Sequence, residues 1–361
     1  MNERLSKLRS LLSDQGLDAV IVSKPENRRY LSGFTGTSGF LVISQNSAKL
    51  ITDFRYIEQA ENQAQGFEIV RHGTNPLETV SSVLDELKSA KCAFESEYLT
   101  YSVYHSLQDK LKSVELKPLV IDGLRMIKDT HELGLIKTAV EIADAAFSHI
   151  LSFLRPGITE LAVAAELEYF MRKQGAERAA FDTIVASGYR GALPHGIASE
   201  KQIEPGDFVT MDFGAVYHGY HSDITRTVCI GKATEKQQFI YDLVLKAQLA
   251  GLRAVQVGQV GKAVDLVARQ IIQDAGYGDY FGHGLGHGVG LAIHEAPALS
   301  PGNTTIVLAE NMLVTVEPGV YLPDWGGVRI EDTVRVSEAN CEILTSSDKK
   351  LIEIDYPLYG I

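Results

Sequence analysis

The chain has 361 residues, a length that exceeds one typical domain and predicts two. Its hydrophobic content of 45% and charged content of 22% are globular values, and a net charge of −12 argues against a nucleic-acid partner. No apolar stretch approaches the roughly 18 residues that a membrane span needs, and the amino terminus does not look like a signal peptide. With three separated cysteines that lack CxxC spacing, these features predict a soluble cytoplasmic protein.

The first third of the chain alternates helices and strands. Apolar residues from Leu5 to Leu12 predict a helix that Gly16 can end. Further elements are predicted at residues 18–23 (strand), 40–44 and 49–52 (a hairpin) and 76–87 (helix). This alternation predicts a small α/β domain. Its polar and aromatic residues are interpreted as surface and turn residues, namely Arg28, Tyr30, Asp53, Arg55 and Tyr56.

A domain boundary is predicted near Asp122-Gly123-Leu124, which gives domains at residues 1–125 and 126–361. A long helix is expected directly afterwards, at about 129–154. The second domain also contains a faint repeat, because a shift of 101 residues superposes an apolar-periodic helix ended by glycine on a second one. The matching residues are Gly157, Ala162, Val163 and Gly175 with Gly258, Ala263, Val264 and Gly276. A capping box of Thr234 with Gln237 opens the second half of this domain.

Two pairs of acidic residues lie at the ends of predicted strands in the second domain. Asp212 ends an apolar run and Asp223 opens a β-branched one, so an antiparallel hairpin would place these two carboxylates opposite each other. Glu317 and Glu331 flank a second hairpin centred on Asp324. We therefore expect a pseudo-twofold domain in which the four carboxylates converge.

Four converging carboxylates repel one another and need a compensating cation. Together with His287 they form an oxygen-rich set with one imidazole, which suits Mn²⁺ and also fits Co²⁺, Fe²⁺ or Zn²⁺. Two such ions roughly 3.5 to 4 Å apart can bridge one hydroxide and polarise a carbonyl, so the predicted chemistry is hydrolysis. The alternative interpretation, ordinary solvated turn residues, is acceptable for any single acid and much less economical for the whole set.

The segment at residues 282–291 has glycine at every second position, which is incompatible with a helix. In an extended strand the glycines face one way, and backbone or substrate can approach that bare side closely. The other side carries His283, Leu285, His287 and Val289. A nucleotide-binding loop is disfavoured because neither Lys-Ser/Thr nor a helix start follows the glycines.

Taken together, these motifs resemble the pita-bread metallopeptidases, specifically the branch of Xaa-Pro aminopeptidases and prolidases (Xaa-Pro dipeptidases). The resemblance covers essentially the whole chain and implies an α/β creatinase-like amino-terminal domain followed by an α+β pita-bread catalytic domain with a pseudo-twofold internal repeat. The motifs that carry it are Asp212 with Asp223, the HGxGHGxG stretch at 283–290, His294-Glu295-Ala296-Pro297, Glu317-Pro318-Gly319-Val320-Tyr321 and Arg329-Ile330-Glu331-Asp332.

The resemblance implies two divalent metal ions and a role for each ligand. Asp212 corresponds to the terminal ligand of one metal, and His287 with Glu317 to those of the other. Asp223 and Glu331 correspond to the bridging carboxylates. The nucleophile implied is a hydroxide that bridges the metals, and Glu317 is implied to act as the proton shuttle.

The resemblance also implies roles around the metals. His195 is expected to contact substrate, His294 to stabilise the tetrahedral intermediate, and His283 to lie in the pocket. Arg329 is expected to orient carboxylate ligands, and Tyr321 to line the pocket. The remaining histidines of the first acidic hairpin, His218 and His221, are interpreted as solvated.

The implied function is hydrolysis of the amino-terminal Xaa-Pro bond of short peptides by a homodimer. Prolidases restricted to dipeptides tend to have an arginine shortly after the HExP motif, where this chain has Ala298, which favours an aminopeptidase acting on longer peptides. The alternatives are a non-enzymatic peptide- or protein-binding member of the fold and a creatinase-like C–N hydrolase. Both typically lack the ligand set that is intact here.

Overall fold

The computed structural model describes residues 3–338 and 340–356. The chain divides into two compact units, Met1–Arg125 and Met126–Ile361. The helices of the first unit are α1 (Glu3–Asp14), α2 (Pro25–Ser32), α3 (Ile57–Gln63), α4 (Pro76–Glu86) and α5 (Tyr101–Lys110). Its strands are β1 (Ala19–Val22), β2 (Phe40–Ser44), β3 (Ala48–Thr52), β4 (Glu68–Arg71), β5 (Lys91–Glu95) and β6 (Glu115–Leu119).

The strands of the first unit form one mixed sheet in the order β4-β3-β2-β1-β5-β6. The predicted hairpin is confirmed, because β2 pairs antiparallel with β3. Strand β1 is buried along its whole length between β2 and β5, as its unbroken run of Ala-Val-Ile-Val indicated. The predicted helices near residues 5–12 and 76–87 are also present.

Two residues of the first unit contradict their interpretation as surface residues. Arg28 is only 3% exposed, because its guanidinium donates to the carbonyls of Ser23, Gly36 and Gly39 and so closes the turn after α2. Tyr30 is 4% exposed and its hydroxyl donates to the carbonyl of Leu124. Sequence alone did not reveal these partners because a loop carbonyl carries no side-chain signature.

The second unit contains the elements that hold the acidic residues. Its helices are α6 (Thr130–Ile150), α7 (Glu160–Lys173), α8 (Glu235–Ala254) and α9 (Gly261–Asp274). Its strands are β7 (Arg178–Ala179), β8 (Ile184–Ser187), β9 (Phe208–Phe213), β10 (Ala215–Tyr217), β11 (Tyr220–His221), β12 (Ile224–Ile230), β13 (Gly286–Gly288), β14 (Glu295–Leu299), β15 (Leu313–Val316), β16 (Gly319–Leu322), β17 (Gly326–Arg329), β18 (Asp332–Val336), β19 (Cys341–Ile343) and β20 (Ile352–Ile354).

The element order of this unit repeats. In each half two helices precede an antiparallel strand pair that encloses a shorter hairpin: β9 and β12 enclose β10-β11, and β15 and β18 enclose β16-β17. Helix α7 spans 160–173 and α9 spans 261–274, so both bounds differ by the predicted 101 residues. The glycines after them, Gly175 and Gly276, have positive φ of 105° and 84°, which ends each helix.

Helix caps and apolar packing stabilise each half of the second unit. The predicted capping box of Thr234 with Gln237 is present at the start of α8, and Asp129 with Glu132 forms another at α6. Each half has its own buried cluster, one around Phe147, Met211 and Phe213, the other around Tyr241, Phe281 and Val316. Among the described residues, no helix is both long and apolar enough to cross a membrane.

Candidate metal centre

The first acidic pair lies on the β9/β12 strand pair, in a register that differs from the prediction. Asp212 is paired with Thr225, and Ile224 with Phe213, so Asp223 lies two positions along the strand from the place directly opposite Asp212. The turn between β10 and β11 consists of His218 and Gly219, whose positive φ values of 44° and 75° are typical of a type I′ turn. The predicted direct opposition of these carboxylates is therefore wrong, although a shift of two residues leaves both on the same face.

The second acidic pair follows the predicted register. Val316 pairs with Asp332 and Gly319 with Arg329, which places Glu317 and Glu331 opposite each other between the two paired segments. Asp324 lies in the turn between β16 and β17 with a φ of 59°. The inward-facing side chains of these strands therefore meet those of β9 and β12.

The structure brings all five predicted ligands together. Carboxylate oxygens of Asp212, Asp223 and Glu331 lie within 4.8 Å of one another. The Nε2 atom of His287 lies 3.5 Å from Asp223 Oδ2 and 3.4 Å from Glu317 Oε1, which adds the remaining two residues to the cluster. Residues separated by as much as 119 positions in sequence thus place their donor atoms close enough together to bind metal ions.

The glycine-rich segment explains how His287 reaches the cluster. Strand β13 runs between β14 and β15, and a Cβ atom on Gly286 would collide with the carbonyl of Thr315. A Cβ atom on Gly288 would lie 2.5 Å from the carbonyl of Ala296. The bare positions therefore allow neighbouring backbone to pack closely, as predicted, while His287 projects towards the carboxylates.

The protonation of His287 fits a metal ligand. Its Nδ1 lies 3.0 Å from the carbonyl of Gly288, and a carbonyl can only accept, so Nδ1 carries the hydrogen and the Nε2 lone pair faces the acids. Burial lowers the pKa of His287, which keeps the imidazole neutral. A neutral ring whose other nitrogen is fixed by a carbonyl is the usual form of a metal-binding histidine.

Arg329 lies beside the acids and connects them to a chain of hydrogen bonds. Its Nη2 donates to Asp212 Oδ2 at 2.6 Å and its Nη1 donates to the hydroxyl oxygen of Tyr321 at 2.9 Å. That hydroxyl in turn lies 2.9 Å from His283 Nε2, while His283 Nδ1 lies 2.8 Å from the carbonyl of Gly284. Burial lowers the pKa of His283 to about 4, so the ring is neutral and accepts from Tyr321.

Two threonines that were not predicted from the sequence hold the glutamates. Thr225 Oγ1 donates to Glu331 Oε2 at 2.7 Å and accepts from Arg329 Nε at 3.0 Å. Thr315 Oγ1 donates to Glu317 Oε1 at 3.1 Å. Strand period could have revealed Thr315, because a residue two positions before Glu317 shares its face.

Burial and mutual repulsion make the ionised form of these acids unfavourable unless positive charge is added. Burial raises the pKa of Glu317 to about 8, although Arg329 counteracts this. Burial and the neighbouring acids, Glu331 first, raise the pKa of Asp223, and burial with Glu317 raises that of Glu331. Asp212 Oδ1 and Glu331 Oε1 are buried atoms without a hydrogen-bond partner among the described residues. Oxygen donors left unpaired next to a neutral imidazole fit divalent cations well.

A cavity of about 530 Å³ opens onto the cluster, a volume within the usual range for small-molecule sites. The predicted His195, His283 and His294 all line it, and the rings of His294 and His287 lie 4.2 Å apart. Its apolar wall, which the sequence did not predict, consists of Phe181, Ile184, Pro194, Ile197 and Ile293. No periodic signal marks that wall, because its residues come from separate loops and strand ends.

Two expectations about individual residues are wrong. Tyr321 does not line the cavity but lies behind it, 8% exposed, between His283 and Arg329. His221 is not solvated: it is 4% exposed and its backbone N–H donates to the carbonyl of Gly290. His218, in the turn itself, is exposed as expected.

Comparison with known proteins agrees with this site. Residues 134–338 match metallopeptidase family M24, and residues 4–127 match the creatinase/prolidase N-terminal domain. The chain is similar to the Xaa-Pro dipeptidase of Pyrococcus furiosus, with 41% identity over 98% of this chain and 100% of that protein. It is also similar to the solved structure of an Xaa-Pro dipeptidase from Bacillus anthracis, with 50% identity, a TM-score of 0.95, and coverage of 97% of this chain and 99% of that one. The solved structure of an X-Pro aminopeptidase from Thermotoga maritima is similar as well, with 41% identity, a TM-score of 0.90, and coverage of 97% of this chain and 99% of that one.

The fold and the site define a metal-dependent hydrolase with a creatinase-type amino-terminal domain and a pita-bread catalytic domain. The chain belongs to metallopeptidase family M24. It is therefore an enzyme of the metallopeptidase class, and its family implies divalent metal ions.

Proposed function

We propose that this metallopeptidase hydrolyses the amino-terminal Xaa-Pro bond of short peptides with two divalent cations. The observation that carries the proposal is the buried cluster of acids, with orphaned oxygens of Asp212 and Glu331, at the base of a substrate-sized cavity. The names of the relatives from Pyrococcus furiosus, Bacillus anthracis and Thermotoga maritima support the choice of an Xaa-Pro bond.

The ligands divide between the two proposed cations. Asp212 would hold one, His287 and Glu317 the other, and Asp223 with Glu331 would hold both. The donor set favours Mn²⁺, since oxygen atoms dominate and one imidazole is present. Bound cations supply a water that ionises near neutral pH and polarise a carbonyl oxygen.

The surrounding side chains supply the proton transfer and the orientation. Glu317 takes a proton from the attacking water and passes it towards the leaving nitrogen, a role that needs a carboxylate in the cavity wall beside the metal ligands. His294 and His195 are exposed on the cavity wall, where they can donate to the carbonyl oxygen and to the peptide. Arg329 keeps Asp212 in place through its 2.6 Å bond.

Proline explains why such a site is needed. The Xaa-Pro bond is a tertiary amide without the N–H by which general peptidases recognise their substrates, and its ring restricts the preceding residue. The apolar wall of the cavity can bury hydrocarbon surface of the peptide, while the acids and the cations hold the polar end.

We propose that peptides longer than a dipeptide are preferred. Among the described residues that line the cavity, Arg329 is the one guanidinium or ammonium group, and it is already bonded to Asp212 and Tyr321. A dipeptide carboxylate would thus lack a strong charged anchor. Ala298, which follows the HExP motif where dipeptide-restricted prolidases tend to have an arginine, is not among the residues that line the cavity.

The test compares Xaa-Pro dipeptides with Xaa-Pro-Yaa tripeptides, using protein stripped with a chelator and reloaded with Mn²⁺. We expect metal-dependent cleavage of both and a higher kcat/KM for the tripeptides. Tripeptides with alanine in the second position are the control for proline selectivity. Reloaded protein that leaves every Xaa-Pro bond intact would overturn the proposed function, and a higher kcat/KM for dipeptides would overturn only the length preference.

Two finer points are proposed on the family resemblance. Reloading with Mn²⁺, Co²⁺, Fe²⁺ and Zn²⁺ in parallel tests the preferred cation, and elemental analysis of protein purified without added metal tests which one is carried. A homodimer is proposed for the assembly, and light scattering of the purified protein tests it.

A further inference from the structure

One loop carries three residues of the cavity wall. This pocket loop, residues 187–199, begins at the last residue of β8 and contains Pro194, His195 and Ile197. The His195 ring is exposed and makes no hydrogen bond to any residue that the structure describes. The position of this imidazole therefore depends on the backbone of the loop.

Glu160 closes the pocket loop at both ends. This carboxylate is fully buried, with 0% exposure, at the first position of α7. Its Oε1 accepts from the backbone N–H and the hydroxyl of Ser187 at 2.7 and 2.9 Å. Its Oε2 accepts from the backbone N–H and the hydroxyl of Ser199 at 3.1 and 2.6 Å, and from Arg190 Nε at 2.9 Å. One side chain thus joins the first and last residues of the loop and also binds Arg190 within it.

The helix end that holds Glu160 also binds the loop through its backbone. The N–H groups of Glu160 and Leu161 donate to the carbonyls of Lys201 and Ser199, each at 3.0 Å. These first-turn N–H groups have no partner within the helix, so the last residue of the loop and Lys201 just beyond it satisfy them. The positive end of the helix dipole also favours a buried carboxylate at this position.

The repeat shows that this arrangement is specific to the first half. A shift of 101 residues places Gly261 where Glu160 stands. A Cβ atom on Gly261 would collide with the carbonyl of Ala298, so backbone occupies the space next to α9. The second half packs a strand there, whereas the first half uses a carboxylate to hold a loop.

We propose that Glu160 is a positioning residue that places His195 for substrate binding, an inference that rests on the proposed peptidase function. The loop is fixed on its other side by Arg329, whose Nη1 donates to the carbonyl of Pro194 at 3.2 Å. Glu160 and Arg329 thereby hold the residues on either side of His195 in register with the metal ligands. Loss of the Glu160 carboxylate frees the ends of the loop and weakens the contact that His195 makes with the peptide.

The test is a double-mutant cycle on kcat/KM for an Xaa-Pro-Yaa tripeptide with the Mn²⁺-loaded enzyme. In Glu160→Gln at least two of the five donors lose their acceptor, whichever way the amide is oriented. We expect kcat/KM to fall about tenfold, mainly through KM, as loss of about 1.4 kcal/mol of binding would produce. In a His195→Ala background the same substitution should change kcat/KM less than about twofold, because the two residues act through one contact.

The matched control is Asp144→Asn. Asp144 is likewise buried and accepts from the backbone and hydroxyl groups of Ser346 and Ser347, far along the chain from the pocket loop. It should lower stability without raising KM. Should Glu160→Gln not fold, Ser199→Ala removes a single donor and should raise KM by the same route, again only when His195 is present.

The outcomes separate the two proposals. A wild-type enzyme that cleaves no Xaa-Pro peptide refutes the proposed function itself. If the wild-type enzyme cleaves these peptides and Glu160→Gln lowers kcat/KM equally with and without His195, the positioning role is overturned. Hydrogen exchange gives a readout independent of activity: residues 187–199 should exchange faster in Glu160→Gln than in Asp144→Asn.

Discussion

At the scale of single residues, the proposed metal ligands are held by side chains that do not belong to the ligand set. Thr225 is completely buried, and its hydroxyl lies between Glu331 and Arg329. Such outer partners commonly contribute a factor of about 10 to 100 in metal affinity when they orient a ligand. Thr227 on the same strand differs from Thr225, because its hydroxyl bonds to the carbonyl of Arg329 and to Thr210 and not to a carboxylate.

Thr225→Val should lower the affinity for Mn²⁺ by about 10- to 100-fold, because it leaves Glu331 without its hydrogen-bond donor. Thr227→Val is the matched control, since it removes a buried hydroxyl from the same face but no partner of a carboxylate ligand. Titration of Mn²⁺ against a competing chelator measures the difference. Equal affinity losses in the two variants would contradict the role assigned to Thr225.

Tyr321 gives a second test at this scale. Tyr321→Phe removes one of the two acceptors of Arg329 Nη1 and the donor to His283, so one buried and one partly buried polar group each lose a partner. We expect a loss of about 1–3 kcal/mol in the free energy of unfolding and a clear loss of kcat/KM. Tyr241→Phe, which removes one buried bond to the carbonyl of Lys349, should cost stability and leave kcat/KM unchanged. Urea unfolding and peptide cleavage measure both quantities, and full activity of Tyr321→Phe would refute the prediction.

At the scale of elements, local signals predicted segments better than pairings. The runs at residues 40–44 and 208–212 were found from composition, because buried strands are apolar and β-branched. The pairing of Asp212 was misplaced by two residues because no Asn-Gly or Asp-Gly marks the turn, and His218 adopts a positive φ that histidine seldom has. The predicted faces of the strands are still correct, because side chains alternate with a period of two and the register differs by two residues. The pocket loop and its anchor Glu160 gave no signal, because they join residues far apart in sequence.

The hairpin β16-β17 packs against the pocket loop through glycine. A Cβ atom on Gly327 would collide with the carbonyl of Gly191, so Gly327→Ala should displace the loop and cost about 1–3 kcal/mol in the free energy of unfolding. Gly134→Ala is the opposite control: Gly134 is an exposed glycine inside α6 with open space around it, and alanine there should stabilise by about 0.5–1 kcal/mol. Urea unfolding measures the free energy of unfolding of both variants. An unchanged value for Gly327→Ala would contradict the prediction, because it would mean that the pocket loop can move away from the alanine without loss of stability.

At the scale of the whole molecule, the fold brings the acids together, and the proposed cations would offset their repulsion. The two halves of the second unit each contribute one acidic pair, and hydrogen bonds such as Thr333 Oγ1 to the carbonyl of Asp223 and Glu331 N–H to the carbonyl of Thr225 join them. The sequence indicated this convergence because paired strands repeat in each half. The sequence could not indicate how much the acidic cluster destabilises the fold without cations, because that free energy depends on how deeply the acids are buried.

Removal of the cations should therefore make stability depend on pH. Without cations, the pKa of Glu317 is raised to about 8 from an ordinary value near 4.5, so between these pH values the folded protein holds more protons than the unfolded chain. Glu317 should then make the free energy of unfolding of chelator-treated protein fall as the pH rises from 6 to 8. The lowered pKa values of His283, His287 and His294 act in the opposite direction near pH 6, where the unfolded chain protonates these rings. Cations displace the protons held by the acids, so the gain in Tm on adding Mn²⁺ should be larger at pH 8 than at pH 6.

Thermal unfolding at the two pH values, with chelator and with Mn²⁺, measures this effect. Glu317→Gln is the control, because a neutral amide cannot titrate and the pH dependence of the chelator-treated variant should be weaker. The raised pKa values of Asp223 and Glu331 have the same sign and leave a residual dependence in that variant. A chelator-treated Glu317→Gln variant with the same pH dependence as the wild type would mean that Glu317 does not carry a raised pKa in the folded protein.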